Sequence, residues 1–134
     1  MAHYAFIDSN NVVTQVITGR DENDLPDWID EDITSASLIH VHQDQVTKLP
    51  EGGRCFASSD FCKISGYVIG DKVFTLQGHP EFDADYTSAL IDLIAGRTGA
   101  ETAAAARDSL ARSHDGAKFG HWILSFFARH KAVA

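Results

Sequence analysis

His79 and Glu81, two residues apart in Gln77-Gly78-His79-Pro80-Glu81, are the side chains of this chain best placed to do chemistry together. A carboxylate beside an imidazole fixes its tautomer and ring orientation, and the imidazole can then take a proton from a serine or cysteine. That is half of a nucleophilic catalytic device. The other half is a nucleophile, and a His-Pro-Glu tripeptide alone is equally compatible with an ordinary surface turn.

The pair must be positioned by its neighbours. Lys72-Val73-Phe74-Thr75-Leu76 is an apolar, β-branched and aromatic run that reads as a strand ending at the pair. Upstream, Tyr4–Asp8 and Val12–Ile17 read as two strands joined by Ser9-Asn10-Asn11, a hairpin ending at Gly19. Asp21–Asp32 carries seven acids, one proline and Trp28, and is expected to be a solvated acidic linker. Its spacing lacks the glycine that a calcium-binding EF-hand loop requires. Downstream, Tyr86, Ala89, Leu90, Leu93 and Ile94 repeat at helical spacing up to Gly96, and alanine-rich Thr98–Arg112 is a second helix candidate. Phe119, Trp122, Ile123, Phe126 and Phe127 mark a third, set off by His114-Asp115-Gly116. Such an aromatic stripe is expected to pack in the core or to meet a partner. The expected fold is α/β: a mixed sheet of about four to six strands, hairpin first, with the C-terminal helices packed on it.

From Ser35 onward the chain resembles the C-terminal portion of a class I glutamine amidotransferase domain, of the stand-alone type related to GMP synthetase. Val41-His42-Gln43-Asp44-Gln45-Val46 and Leu49-Pro50-Glu51-Gly52-Gly53 resemble its His-x-Asp-x-Val and Leu-Pro-x-Gly segment. Ala57–Cys62 resembles its Ser-x-x-Cys strand segment, with Lys63 in place of the usual proline. Tyr67–Asp71 and Val73–Glu81 resemble the strand pair that delivers the catalytic His-Pro-Glu. The resemblance implies a partial flavodoxin-like fold, divides the chain into an N-terminal segment 1–34 and an amidotransferase-like portion 35–134, and makes His79 the general base and Glu81 its orienting acid. It implies glutamine as substrate, hydrolysed to glutamate and ammonia through a glutamyl thioester, and no cofactor. Residues 1–34 are instead faintly similar to short phage virion proteins that open with a comparable hairpin.

The family nucleophile stands on a Gly-x-Cys-x-Gly elbow upstream, where a sharp turn exposes the sulfur at a helix N-terminus. Residues 1–35 contain no cysteine. Cys55, in Gly53-Arg54-Cys55-Phe56-Ala57, superficially reads like an elbow, but Ser58-Ser59-Asp60 follows it where a helix would have to begin. Cys62 has no flanking glycines. Two reduced cysteines packed as small apolar residues is the plainer reading of both.

Composition fits one core and a cytoplasmic protein: 134 residues, two cysteines, no leader and no apolar run able to span a bilayer. A net charge of -8 without clustered Lys and Arg argues against nucleic-acid binding. His40 and His42 alternate on one strand face, a geometry that can bind metal, yet no third ligand is evident and none is expected. Two functions follow. One is a glutamine amidotransferase-like domain that keeps the His-Glu pair, lacks the nucleophile and is inactive alone, with a complementing chain or homodimer as partner. The other is a non-enzymatic binding or structural module in which the pair is a relic.

Overall fold

In the computed structural model, residues 13–18, 35–42 and 44–130 are described. The first strand of the expected hairpin, Tyr4–Asp8, and the acidic stretch Asp21–Asp32 lie outside them. The chain is α/β, with five strands and three helices among these residues.

Strand β1 (Val13–Thr18) pairs antiparallel along its whole length with β2 (Ser35–His40), from Val13 opposite His40 to Thr18 opposite Ser35. Strands β3 (Gly53–Ala57), β4 (Gly66–Ile69) and β5 (Val73–Leu76) form an antiparallel meander. Where sequence suggested a mixed sheet, every described pairing is antiparallel, and the strands fall into two ladders. The meander connections are short, and parallel neighbours would need crossovers of a dozen residues or more.

The segment after β5 stitches the ladders together. Gln77 donates its backbone N–H to Ser65 O at 2.8 Å, extending the meander, and His79 donates to Ile39 O at 2.7 Å, forming a single bridge to β2. Gly78 between them has no room for a side chain: a Cβ there would lie 2.8 Å from both His40 Nε2 and Leu38 Cβ. Only glycine lets the backbone run this close to β2.

Helix α1 (Ala84–Thr98) starts where Asp83 caps it, its Oδ1 accepting from Tyr86 N at 2.7 Å. It passes through Gly96, where sequence suggested an end, and stops at Gly99, whose φ of 88° and ψ of 154° form an extended positive-φ conformation open in practice only to glycine. An interior glycine costs a helix about 1 kcal/mol, too little to end one that buries Ile91 and Ile94. Helix α2 (Ala100–Ser109) folds back on α1, burying Ala103 and Ala106 against Ile91 and Ile94, with Arg107 paired to Asp92. Helix α3 (Gly116–His130) inserts Phe119 and Trp122 into the main core, against Ala36 and Leu38 of β2, Phe56 and Ala57 of β3, and Val68 of β4. Its start is locked to β2: Asp115 N donates to Ser37 O at 2.7 Å, and Ser37 N donates back to Asp115 Oδ2 at 2.8 Å. Among the described residues no helix is long and apolar enough to cross a membrane.

Candidate functional site

His79 begins a tight turn. Pro80 fixes φ at the second position, as such turns favour, and Phe82 N closes it by donating to His79 O at 3.3 Å. The turn folds Glu81 back toward the imidazole, and His79 Nδ1 lies 2.9 Å from Glu81 Oε1. An ionised carboxylate only accepts, so this contact places the neutral imidazole's proton on Nδ1 and leaves the Nε2 lone pair as the basic position. Burial alone would push the Glu81 carboxyl up, but the bond from His79, its own backbone amide and the charge of the imidazole outweigh it and hold the carboxyl below its ordinary range. The side chains are 33% exposed for His79 and 63% for Glu81, so the pair is open to a reactant arriving from solution.

Beside the pair runs a groove of about 370 Å3, lined by Phe74 and Leu76 of β5, by residues 77–81, and by Ile123, Phe126 and Phe127 of α3. Gln77 ties the preceding loop to this wall: its Oε1 accepts from Val46 N at 2.7 Å, and its Nε2 donates to Asp44 O at 3.4 Å. Below the pair, His40 is fully buried, with Nδ1 3.1 Å from His42 Nε2. Burial first, then His42 and His79, lower the His40 pKa to about 3. Burial also lowers that of His42, with the Asp44 backbone opposing it. His40 is therefore a neutral strut under the His79 backbone at ordinary pH.

The cysteines lie elsewhere. Cys55 pairs with Tyr67, which pairs with Thr75, so these three side chains share one face of the meander. The opposite face carries Phe56 and Phe74, stacked with centroids 5.2 Å apart, and this is the face toward the groove. Cys55 Sγ donates to Ala57 O at 3.2 Å. Cys62 is fully buried, and burial pushes its thiol up against the opposing bonds from Ser65 and Ile64. Among the described hydrogen bonds the His79 ring meets Glu81 and no sulfur. Neither cysteine forms a disulfide. Among the described residues no group of three or more His, Cys, Asp or Glu side chains is arranged to hold a metal ion.

His79, Glu81 and the two cysteines stand out in the sequence, and the structure joins the first two while placing neither sulfur in hydrogen-bond contact with the His79 ring among the described residues. The contacts of Gln77, Gly78 and Phe82 come only from the structure, although a glycine immediately before a histidine and an aromatic immediately after the acid are visible signals.

No protein-family model matches the chain. Over 60 residues, 45% of the chain, it is 38% identical to gamma-glutamyl peptidase 3 of Arabidopsis thaliana, covering 24% of that protein. Over 62 residues, 43% of the chain, it is 40% identical to the glutamine-hydrolysing GMP synthase of Cellvibrio japonicus, covering 11% of it. The matches thus span a quarter or less of these relatives. The fold resembles the crystal structure of SMU.1228c with a TM-score of 0.57 at 20% identity, over 87% of this chain and 50% of that one. The likeness of residues 1–34 to phage virion proteins finds no support in these matches. These relatives support a glutamine amidotransferase-like domain in this chain, similar to part of larger proteins.

Proposed function

We propose that this chain supplies the base half of a glutaminase site: His79 is the general base, Glu81 orients it, and the thiolate comes from polypeptide outside these 134 residues. The observation that carries this reading is the 2.9 Å contact between His79 Nδ1 and Glu81 Oε1 on an open groove, with Nε2 left as the basic position. The names of the relatives point to the γ-acyl carbon of a glutamyl amide as the reacting centre, and glutamine is the smallest such amide. The chemistry balances as follows. The incoming thiol gives its proton to His79 Nε2 while its sulfur bonds the γ-carboxamide carbon, and Glu81 stabilises the imidazolium. The imidazolium returns the proton to the departing amine, so the C–N bond breaks, ammonia leaves and a glutamyl thioester remains. Water, deprotonated by the same nitrogen, cleaves the thioester to glutamate and thiol.

The face on which Cys55 lies and the burial of Cys62 favour an external nucleophile. A catalytic thiol needs a lowered pKa and access, and Cys62 has neither. On this reading residues 35–134 are the amidotransferase-like unit, residues 1–34 are a separate segment, and the protein works in the cytoplasm. The test is ammonia release from glutamine by the chain alone and by the chain mixed with a cysteine-bearing N-terminal portion of a glutamine amidotransferase. The expected result is release only from the mixture, reduced about 10²- to 10⁴-fold by His79→Ala, the usual share of a general base. A mixture that assembles but stays inactive favours the non-enzymatic module.

A further inference from the structure

The turn that brings Glu81 to the edge of the His79 ring also brings an aromatic ring to its face. Phe82 lies parallel to the imidazole, with an interplanar angle of 6° and centroids 4.1 Å apart. With the planes in van der Waals contact at about 3.5 Å, this leaves about 2 Å of lateral slip, the offset stack that aromatic pairs prefer to an eclipsed sandwich. Tyr86 in turn packs on Phe82 at 4.7 Å and 56°. The Tyr86 backbone is held by the Asp83 cap of α1, so the column His79, Phe82, Tyr86 is anchored in the first turn of a helix.

The edge contact alone cannot fix the ring. Glu81 is mostly exposed, and an exposed ion pair or hydrogen bond competes with water and is screened by salt. A flat face against the imidazole restrains its plane in a way that one acceptor atom does not. Among the described residues the Phe82 side chain belongs to neither buried core cluster, and its ring meets the imidazole and Tyr86.

We propose that Phe82 is a positioning residue for His79: its ring holds the imidazole plane so that Nδ1–H stays on Glu81 and Nε2 keeps its lone pair for proton transfer, with Tyr86 as the brace. The inference deepens the reading of His79 as a base and rests on it for its purpose, but its test needs no turnover. Nitrogen-15 spectra of the His79 ring in the full chain, taken with the imidazole neutral, report which nitrogen carries the proton. In the wild type Nδ1 reads as protonated and Nε2 as unprotonated. Phe82→Leu keeps apolar bulk without a flat face. It is expected to lower the ratio of the Nδ1–H to the Nε2–H form roughly two- to tenfold, the range one aromatic pair can control, because a released imidazole in water favours Nε2–H. Phe82→Tyr restores the wild-type ratio. Tyr86→Ala, on an exposed helix turn, moves it in the same direction by less, and it carries the test if Phe82→Leu fails to fold.

Unchanged ring shifts in Phe82→Leu, or in Tyr86→Ala where it stands in, overturn the proposal, as does a Phe82→Tyr variant displaced as far as Phe82→Leu. Failure of the base assignment looks different: the complemented assembly releases no ammonia while the tautomer responds to Phe82 as described.

Discussion

Acidification should destabilise this protein before its carboxylates protonate, and His40 is the reason. Its side chain is fully buried, its Nδ1 faces His42 and its Nε2 has no hydrogen-bond partner among the described residues. Burial, then His42 and His79, lower its pKa from the ordinary 6.5 to about 3. Between those values the unfolded chain binds a proton that the folded chain refuses, so the stability present above pH 6.5 is lost as pH falls below it. At pH 5.0 the loss is roughly 2 kcal/mol, from about 1.4 kcal/mol per pH unit over the interval below 6.5. That magnitude depends on the unfolded value and hardly at all on how far below 4 the folded value lies. His42 is shifted the same way and adds to it. Glu81 and Asp115 are held below their ordinary 4.5 and 3.8, so their losses begin only in stronger acid. The assay is urea unfolding, followed by tryptophan fluorescence, at pH 7.5 and 5.0 for wild type and His40→Gln, which keeps a polar group opposite His42 but does not titrate. The wild-type midpoint should fall by about 1–2 M urea, given slopes of about 1–3 kcal/mol/M, and most of that fall should vanish in the variant. A wild-type stability constant to within about 0.5 kcal/mol across this range, or a variant with the full pH slope, would show that His40 does not set the acid sensitivity.

Two further substitutions test the scaffold of the site. Gly78→Ala places a methyl 2.8 Å from His40 Nε2 and Leu38 Cβ, and should cost about 1–3 kcal/mol of unfolding free energy by urea titration at pH 7.5, the range of an overpacked core position. Asp115→Ala strips the Ser37 amide and hydroxyl of their carboxylate acceptor and leaves, of the reciprocal pair that locks α3 to β2, only the backbone bond from Asp115 N to Ser37 O. A destabilisation of about 1–3 kcal/mol is expected in the same assay, and a change below about 0.5 kcal/mol counts against the lock.

What could be read from sequence was what is local in the chain. His79 and Glu81 meet because one proline-containing turn joins them, so residue types and spacing were enough. The strand before them and the three helices follow from short-period apolar patterns, and β3, β4 and β5 are joined by short connections. The rest depends on contacts distant in sequence. The His79 bridge to Ile39 spans 40 residues, and it is what brings Gly78 onto Leu38 and His40. No pattern in the segments themselves announces that pairing, nor that Gln77 reaches across to Val46. Gly96 and Gly99 look alike as helix stops, and of the two only Gly99 takes a positive φ, at the point where the helix ends. Cys55 could be doubted from its flanking residues, but its face of the sheet is set by register with Tyr67 and Thr75, which sequence alone did not fix.

On the proposed reading, His79 and Glu81 serve a thiolate that neither cysteine of this chain provides. Intact-mass analysis after exposure to a chloroketone analogue of glutamine tests it most directly, on the chain alone and on the complemented assembly. The expected result is no mass increment on Cys55 or Cys62 in the isolated chain, and in the assembly one increment on the partner's cysteine whose rate collapses with His79→Ala. Stoichiometric labelling of Cys55 in the isolated chain would contradict it.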